Sequence, residues 1–135
     1  MLFVDTNVVA YLLIEGKHTA AAQQLHRRDS DWRSEAFLVI EFTNVLASSI
    51  ATKRMTLSLA TALLAKVTAL FDGKLGRIPH ASVLAIAARH GVSAYDARFL
   101  ALADQLGGRL ITEDARLRAA APALTQSLAE ALAAR

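Results

Sequence analysis

Twelve acids are spread along the chain, and four of them stand where carboxylates invite chemistry. Asp5 closes the short apolar run Leu2-Phe3-Val4, and Glu41 interrupts the most apolar stretch, between Ile40 and Phe42. Asp96 follows Ser93 by three residues, and Asp114 stands just past Leu110-Ile111-Thr112. Carboxylates gathered at one place repel each other unless something neutralises them. The chain has no cysteine, and its histidines, His18, His26, His80 and His90, show no ligand spacing and read as surface residues. An oxygen-only donor set suits a hard cation, Mg²⁺ or Mn²⁺. Such an ion polarises a phosphoryl oxygen, activates water and steadies a leaving oxygen, whether one ion acts or two. Cutting a phosphodiester is the chemistry these residues suggest.

Each acid also has a structural reading. Asp5 sits where a strand-to-helix turn favours an Asp cap. Ser93-x-x-Asp96 has the form of a capping box. Asp114 or Thr112 would suit a helix start or offset a helix dipole. Glu41, with Asn44 three residues on and so on the same helix face, must be partnered, protonated or solvated, and a buried pair with an arginine would satisfy it. A non-catalytic module that binds RNA or a protein, using its acids for caps and ion pairs, is therefore the competing reading.

The elements that must position these residues are readable in outline. Leu2–Val4 reads as a buried strand, followed by helices from Val8 to Ile14 and from Thr19 to Arg28. A short strand at Trp32–Ser34 precedes a helix opening at Ser34 or Glu35 and running to about Ile50. A further helix runs from Thr56 or Ser58 to Phe71, and a short strand is expected near Arg77–Ile78. Pro79 opens a helix that Gly91 closes; the Ser93 helix runs to Leu106, and Arg109–Thr112 is the clearest late strand. Helices at Asp114–Ala120 and Leu124–Ala134 complete the chain. Short apolar strands separated by helices argue for an α/β fold with a parallel sheet covered on both faces. Ligands in such folds collect at the carboxyl ends of the strands.

Four segments then resemble the PIN-domain family, and most closely its small VapC-like toxin ribonucleases of type II toxin–antitoxin modules. They are Val4-Asp5-Thr6-Asn7-Val8 and Ile40-Glu41-Phe42-Thr43-Asn44-Val45-Leu46. The others are Ser93-Ala94-Tyr95-Asp96-Ala97 with Phe99-Leu100-Ala101-Leu102-Ala103, and Leu110-Ile111-Thr112-Glu113-Asp114 with Leu117. Their order and intervals cover nearly the whole chain. The resemblance implies a three-layer α/β/α sandwich around a short, mainly parallel sheet, with residues 1–135 forming one nuclease domain. It implies an Mg²⁺-dependent endoribonuclease whose catalytic and metal-binding acids are Asp5, Glu41, Asp96 and Asp114, with Asn7 and Thr112 lining the site. It also implies a homodimer silenced by a cognate antitoxin. Some members carry a further acid two residues after the fourth; here that position is Arg116.

Composition sets the outer bounds. The chain has 135 residues, 54% of them apolar and 20% charged, which excludes disorder as its main state. Its apolar runs are too short for a membrane span. An acid at position five and no basic leader give the expectation of a cytoplasmic protein. The net charge of +3 fits a nucleic-acid partner without requiring one. Arginine is the commoner basic residue, and its planar fork suits phosphate. Arg98, Arg116 and Arg118 lie near the acidic segments and are the candidates for holding RNA. A DNA-cutting nuclease would use the same acids. Trp32 and Tyr95 read as packing residues, Asp104 as a surface charge and Glu113 as solvent-facing.

Overall fold

The structure is a computed structural model that describes residues 1–134. Five strands form one sheet: β1 (Leu2–Val4), β2 (Trp32–Glu35), β3 (Leu75–Gly76), β4 (Leu110–Ile111) and β5 (Thr125–Gln126). Their spatial order is β3-β2-β1-β4-β5, and every pairing is parallel. β1 lies at the centre, and its buried Phe3 and Val4 show the two-sided burial expected of a parallel strand.

Eight helices connect and cover the strands: α1 (Thr6–Leu13), α2 (Thr19–Arg28), α3 (Phe37–Ala51), α4 (Leu57–Leu70), α5 (His80–His90), α6 (Ala94–Gln105), α7 (Ala115–Ala120) and α8 (Leu128–Ala133). Helix α1 packs on α2 and α3, α3 on α4 and α2 on α8, while α5 packs on α6 and α6 crosses β1, β2 and β4. Right-handed crossovers put these two helix groups on opposite faces of the sheet. The result is the expected α/β/α sandwich. Ala97 and Phe99–Ala103 of α6 are all buried, so that helix is the most enclosed. None of the helices is long and apolar enough to cross a membrane among the described residues.

Local chemistry sets the helix starts. Asp5, Thr56, Ser93, Asp114 and Ser127 each accept a backbone N–H of the helix that follows. Gly91 ends α5 in the left-handed region, at φ 65°. Several boundaries differ from the sequence expectation; α1 opens at Thr6, directly after its Asp5 cap, instead of at Val8. β2 runs on to Glu35 because its register pairs Glu35 with Gly76, which delays α3 to Phe37. That pairing also puts β3 at Leu75–Gly76 instead of Arg77–Ile78. Near the end, Pro122–Leu124 forms a 3₁₀ turn and Thr125–Gln126 a strand where continuous helix was expected. Thr112 N–H donates to Gln126 O at 2.9 Å and Thr125 Oγ1 to Ala121 O at 2.9 Å, so α8 starts only at the Ser127 capping box.

Gly108 leads into β4 and supports the central strand by having no side chain. A Cβ there would meet Cε2 of buried Phe3 at 2.2 Å. Gly108→Ala is expected to destabilise the fold by about 1–3 kcal/mol through overpacking. Urea unfolding checks this, and an unchanged midpoint would show that Phe3 can move aside.

Candidate functional site

β1 and β4 are neighbours whose register pairs Val4 with Ile111. The next residues out, Asp5 and Thr112, therefore leave the sheet side by side. This is also where the sheet order reverses, since the chain goes from β1 outward to β2 and β3 and later returns to β4. Such a switch point leaves a crevice at the carboxyl ends of the strands. A cavity of about 410 Å³ opens here, lined by Asp5, Glu41, Asp96 and Asp114 together with Thr6, Asn7 and others. The acids from four distant segments thus meet in one cavity.

Each carboxylate is held by its own element. Asp5 Oδ1 accepts Val8 N–H at 3.0 Å, capping α1. Asp114 Oδ1 accepts Arg116 N–H at 3.0 Å and Leu117 N–H at 3.2 Å, capping α7. The N–H of Asp114 donates to Thr112 Oγ1 at 3.1 Å, and Thr112 is fully buried. Asp96 stands in the first turn of α6, where Ser93 Oγ accepts its N–H at 3.1 Å. Among the described residues Glu41 meets no arginine; Thr6 Oγ1 donates to its Oε1 at 2.7 Å. Thr6 is a buried site residue that sequence reasoning missed, and its place directly after Asp5 was the available signal.

The electrostatics follow from crowding. Asp5 is pushed from 3.8 to about 6, chiefly by burial and further by Asp96 and Glu41. The Thr112 hydroxyl and Val8 N–H oppose that rise. Glu41 is raised by burial first and by Asp96, against the Thr6 hydrogen bond. Asp96 is raised by burial and by Asp114. The same negative field, with burial as the larger cause, raises the Tyr11 phenol of α1.

One wall of the cavity is apolar. Phe37, Ile40, Glu41 and Asn44 share a face of α3 at helical spacing, and Tyr95 and Phe99 share one of α6. Phe37 and Tyr95 stack with centroids 5.5 Å apart and planes 12° apart. Tyr95 is 62% exposed, so it is no core residue, whereas Trp32 is buried as expected. Spacing around Glu41 was the signal for Phe37 and Ile40.

The arginines divide. Arg98 Nη1 lies 3.6 Å from Glu35 Oε2 and its Nη2 3.1 Å from His80 Nδ1, with its guanidinium over the Phe37 ring. Glu35, read from sequence as a helix opener, is a buried carboxylate at the end of β2. Arg118 Nη1 donates to Thr112 O at 2.8 Å and pairs with Glu113. Glu113 accepts Leu128 N–H as well and points into this network instead of into the cavity. Arg116 is exposed and contributes only its backbone N–H. Asn7 is exposed at the rim.

The PIN domain family profile matches residues 2–122 of the chain. Over 40 residues the chain is 50% identical to Ribonuclease VapC3 of Pyrobaculum aerophilum, a stretch that spans 30% of this chain and 30% of that protein. The crystal structure of PAE2754 from Pyrobaculum aerophilum is similar over 97% of this chain and 96% of the other, with a TM-score of 0.75 and 23% identity. At that identity the likeness is one of fold.

Asp5 supplies a stability prediction. Its folded pKa of about 6 lies above the unfolded value of 3.8, so the folded chain binds the proton more tightly. The stabilisation from that proton is full below the unfolded value and is lost as pH rises through the folded one. Asparagine keeps the cap and carries no charge. In chelator, Asp5→Asn is expected to be more stable than the parent above about pH 7, by about 3 kcal/mol. The advantage is expected to vanish below about pH 4. Melting curves at both ends check this, and a pH-independent difference would contradict it.

Proposed function

The chain belongs to the PIN domain family, and from that premise we propose that it is a metal-dependent endoribonuclease, with Mg²⁺ as its ion and RNA as its substrate. The observation that carries the reading is the single cavity shared by Asp5, Glu41, Asp96 and Asp114. These donors fit a hard divalent cation, Mn²⁺ included. All are oxygens, and a cation would reverse the crowding that pushes Asp5, Glu41 and Asp96 toward protonation. Among the described residues no group of three His, Cys, Asp or Glu side chains is already gathered tightly enough to hold an ion. Holding one therefore needs the carboxylates to draw closer together within the cavity they already line.

Asp5, Glu41, Asp96 and Asp114 would hold the ion. When bound, it supplies charge to polarise the phosphoryl oxygen and stabilise the leaving oxygen. The chain supplies position. Thr6 fixes Glu41, Thr112 supports both Asp5 and the backbone of Asp114, and Ser93 fixes the turn that carries Asp96. Asn7 offers an amide at the rim, and exposed Arg116, two residues past Asp114, is the cation we assign to an incoming phosphate. Arg98 and Arg118 act instead through the carboxylates and carbonyl they already hold.

The wider role we infer is that of a toxin, with residues 1–135 as one nuclease domain, cytoplasmic, homodimeric and silenced by an antitoxin protein. The name of the partial relative, Ribonuclease VapC3, supports the ribonuclease activity, and the toxin role rests on the resemblance of the four acidic segments to VapC-like toxin ribonucleases. Exposed Leu57 and Leu59 at the start of α4 and, separately, exposed Leu84 of α5 leave apolar surface open to a protein partner. The caps formed by Asp5 and Asp114 favour a second reading, a non-catalytic RNA- or protein-binding module.

Mg²⁺ separates the two. The nuclease reading expects Mg²⁺ to raise the melting temperature and to be required for RNA cleavage. Asp5→Asn and Asp96→Asn are each expected to lower cleavage about 10²–10⁴-fold. Equal cleavage by parent and variants, or cleavage in chelator, would sink the reading. Preference for DNA in a competition assay would move it to a DNA nuclease.

A further inference from the structure

The apolar wall has no role in holding an ion, yet it stands in the same cavity as the acids. Its three aromatic rings run from core to solvent. Phe99 is 2% exposed; Phe37 lies 6.5 Å from it, and Tyr95, 62% exposed, stacks on Phe37. The Arg98 guanidinium, 5.5 Å from the Phe37 centroid and tied to Glu35, further fixes the middle ring. Ile40, 64% exposed, extends the wall from one turn further along α3. The outermost ring is thus held by packing before any ligand arrives.

We propose that the Phe37–Tyr95 stack, with Ile40 beside it, is a platform for one unpaired nucleobase of an RNA strand, an inference that rests on the nuclease reading above. Tyr95 directly precedes Asp96 and Ile40 directly precedes Glu41. The carboxylates and the aromatic wall line one cavity of about 410 Å³, so a phosphate at the acids and its base at the aromatics share a single enclosure. Asn7 and Asn44 line the same cavity, and each amide offers both donor and acceptor to a base edge. A volume of about 410 Å³ matches a small planar group and is short for the apolar face of a docking helix. In a duplex both faces of a base are covered, so the platform selects single-stranded segments, which is where RNA bases are free to stack on aromatic side chains.

The test measures binding with Ca²⁺ in place of Mg²⁺, by fluorescence anisotropy. The probes are labelled single-stranded oligoadenylate and a ribose-phosphate strand of equal length without bases. Tyr95→Ala is expected to weaken oligoadenylate binding about tenfold. Tyr95→Phe and Tyr95→Trp are expected to bind like the parent, and the abasic strand is expected to bind parent and Tyr95→Ala equally. An equal loss on both strands, or no loss on either, overturns the platform. So does a change in oligomeric state on Tyr95→Ala, which would assign this face to a second copy of the chain. Mg²⁺-dependent cleavage that persists while base dependence is absent removes the platform and leaves the nuclease. Base-dependent binding without cleavage under Mg²⁺ or Mn²⁺ keeps the platform and removes the nuclease.

Discussion

Like charges in a poorly hydrated cavity repel one another and lose their water, and both effects oppose their ionisation. Asp5, Glu41 and Asp96 show the consequence in raised pKa values. The arrangement persists because each carboxylate or its backbone is tied down: Asp5 by Val8 N–H, Asp96 by Ser93 Oγ and Asp114 by the first turn of α7, all within a few residues, and Glu41 by the Thr6 hydroxyl from a distant segment. Capping and lining a cavity are compatible duties for an Asp. Asp114 makes both of its caps through Oδ1 alone, so its second oxygen is not engaged by them. Two of the acids that crowd the cavity, Asp5 and Asp114, are thereby also the residues that start helices.

That crowding depends on the parallel adjacency of β1 and β4. A turn after each strand delivers an acid to the same edge, and α6, crossing β1, β2 and β4, delivers Asp96. Helix α3 supplies Glu41 from the side, with Phe37, Ile40 and Asn44 on the same face. Support comes from behind. Arg118 reaches the Thr112 carbonyl, and Glu113 gathers Arg118 and Leu128 N–H. The net charge of +3 is therefore an average over an acidic cavity and arginines partly committed to holding its frame.

Much of this was legible along the chain because it is local. A short apolar run ending in Asp, a Ser three residues before an Asp, and a lone Glu in an apolar helix each mark a position whose neighbours are within a turn. The α/β alternation follows from the same periodicities. Strands of two residues carry no period, which is why β3 was displaced and β5 read as helix. Their pairing is set by backbone hydrogen bonds to strands distant in sequence.

The sequence by itself determined the identities of the acids, the caps that begin the helices after them, and an oxygen-only donor chemistry. Only the tertiary structure decided that these acids share one cavity, that Thr6 partners Glu41, and that Tyr95 stacks in the open instead of in the core. It also decided that Glu35 is buried against Arg98. The physical reason is range. Caps and periodicity act over a few residues, whereas burial, charge crowding and aromatic stacking depend on which distant segments the sheet register brings together.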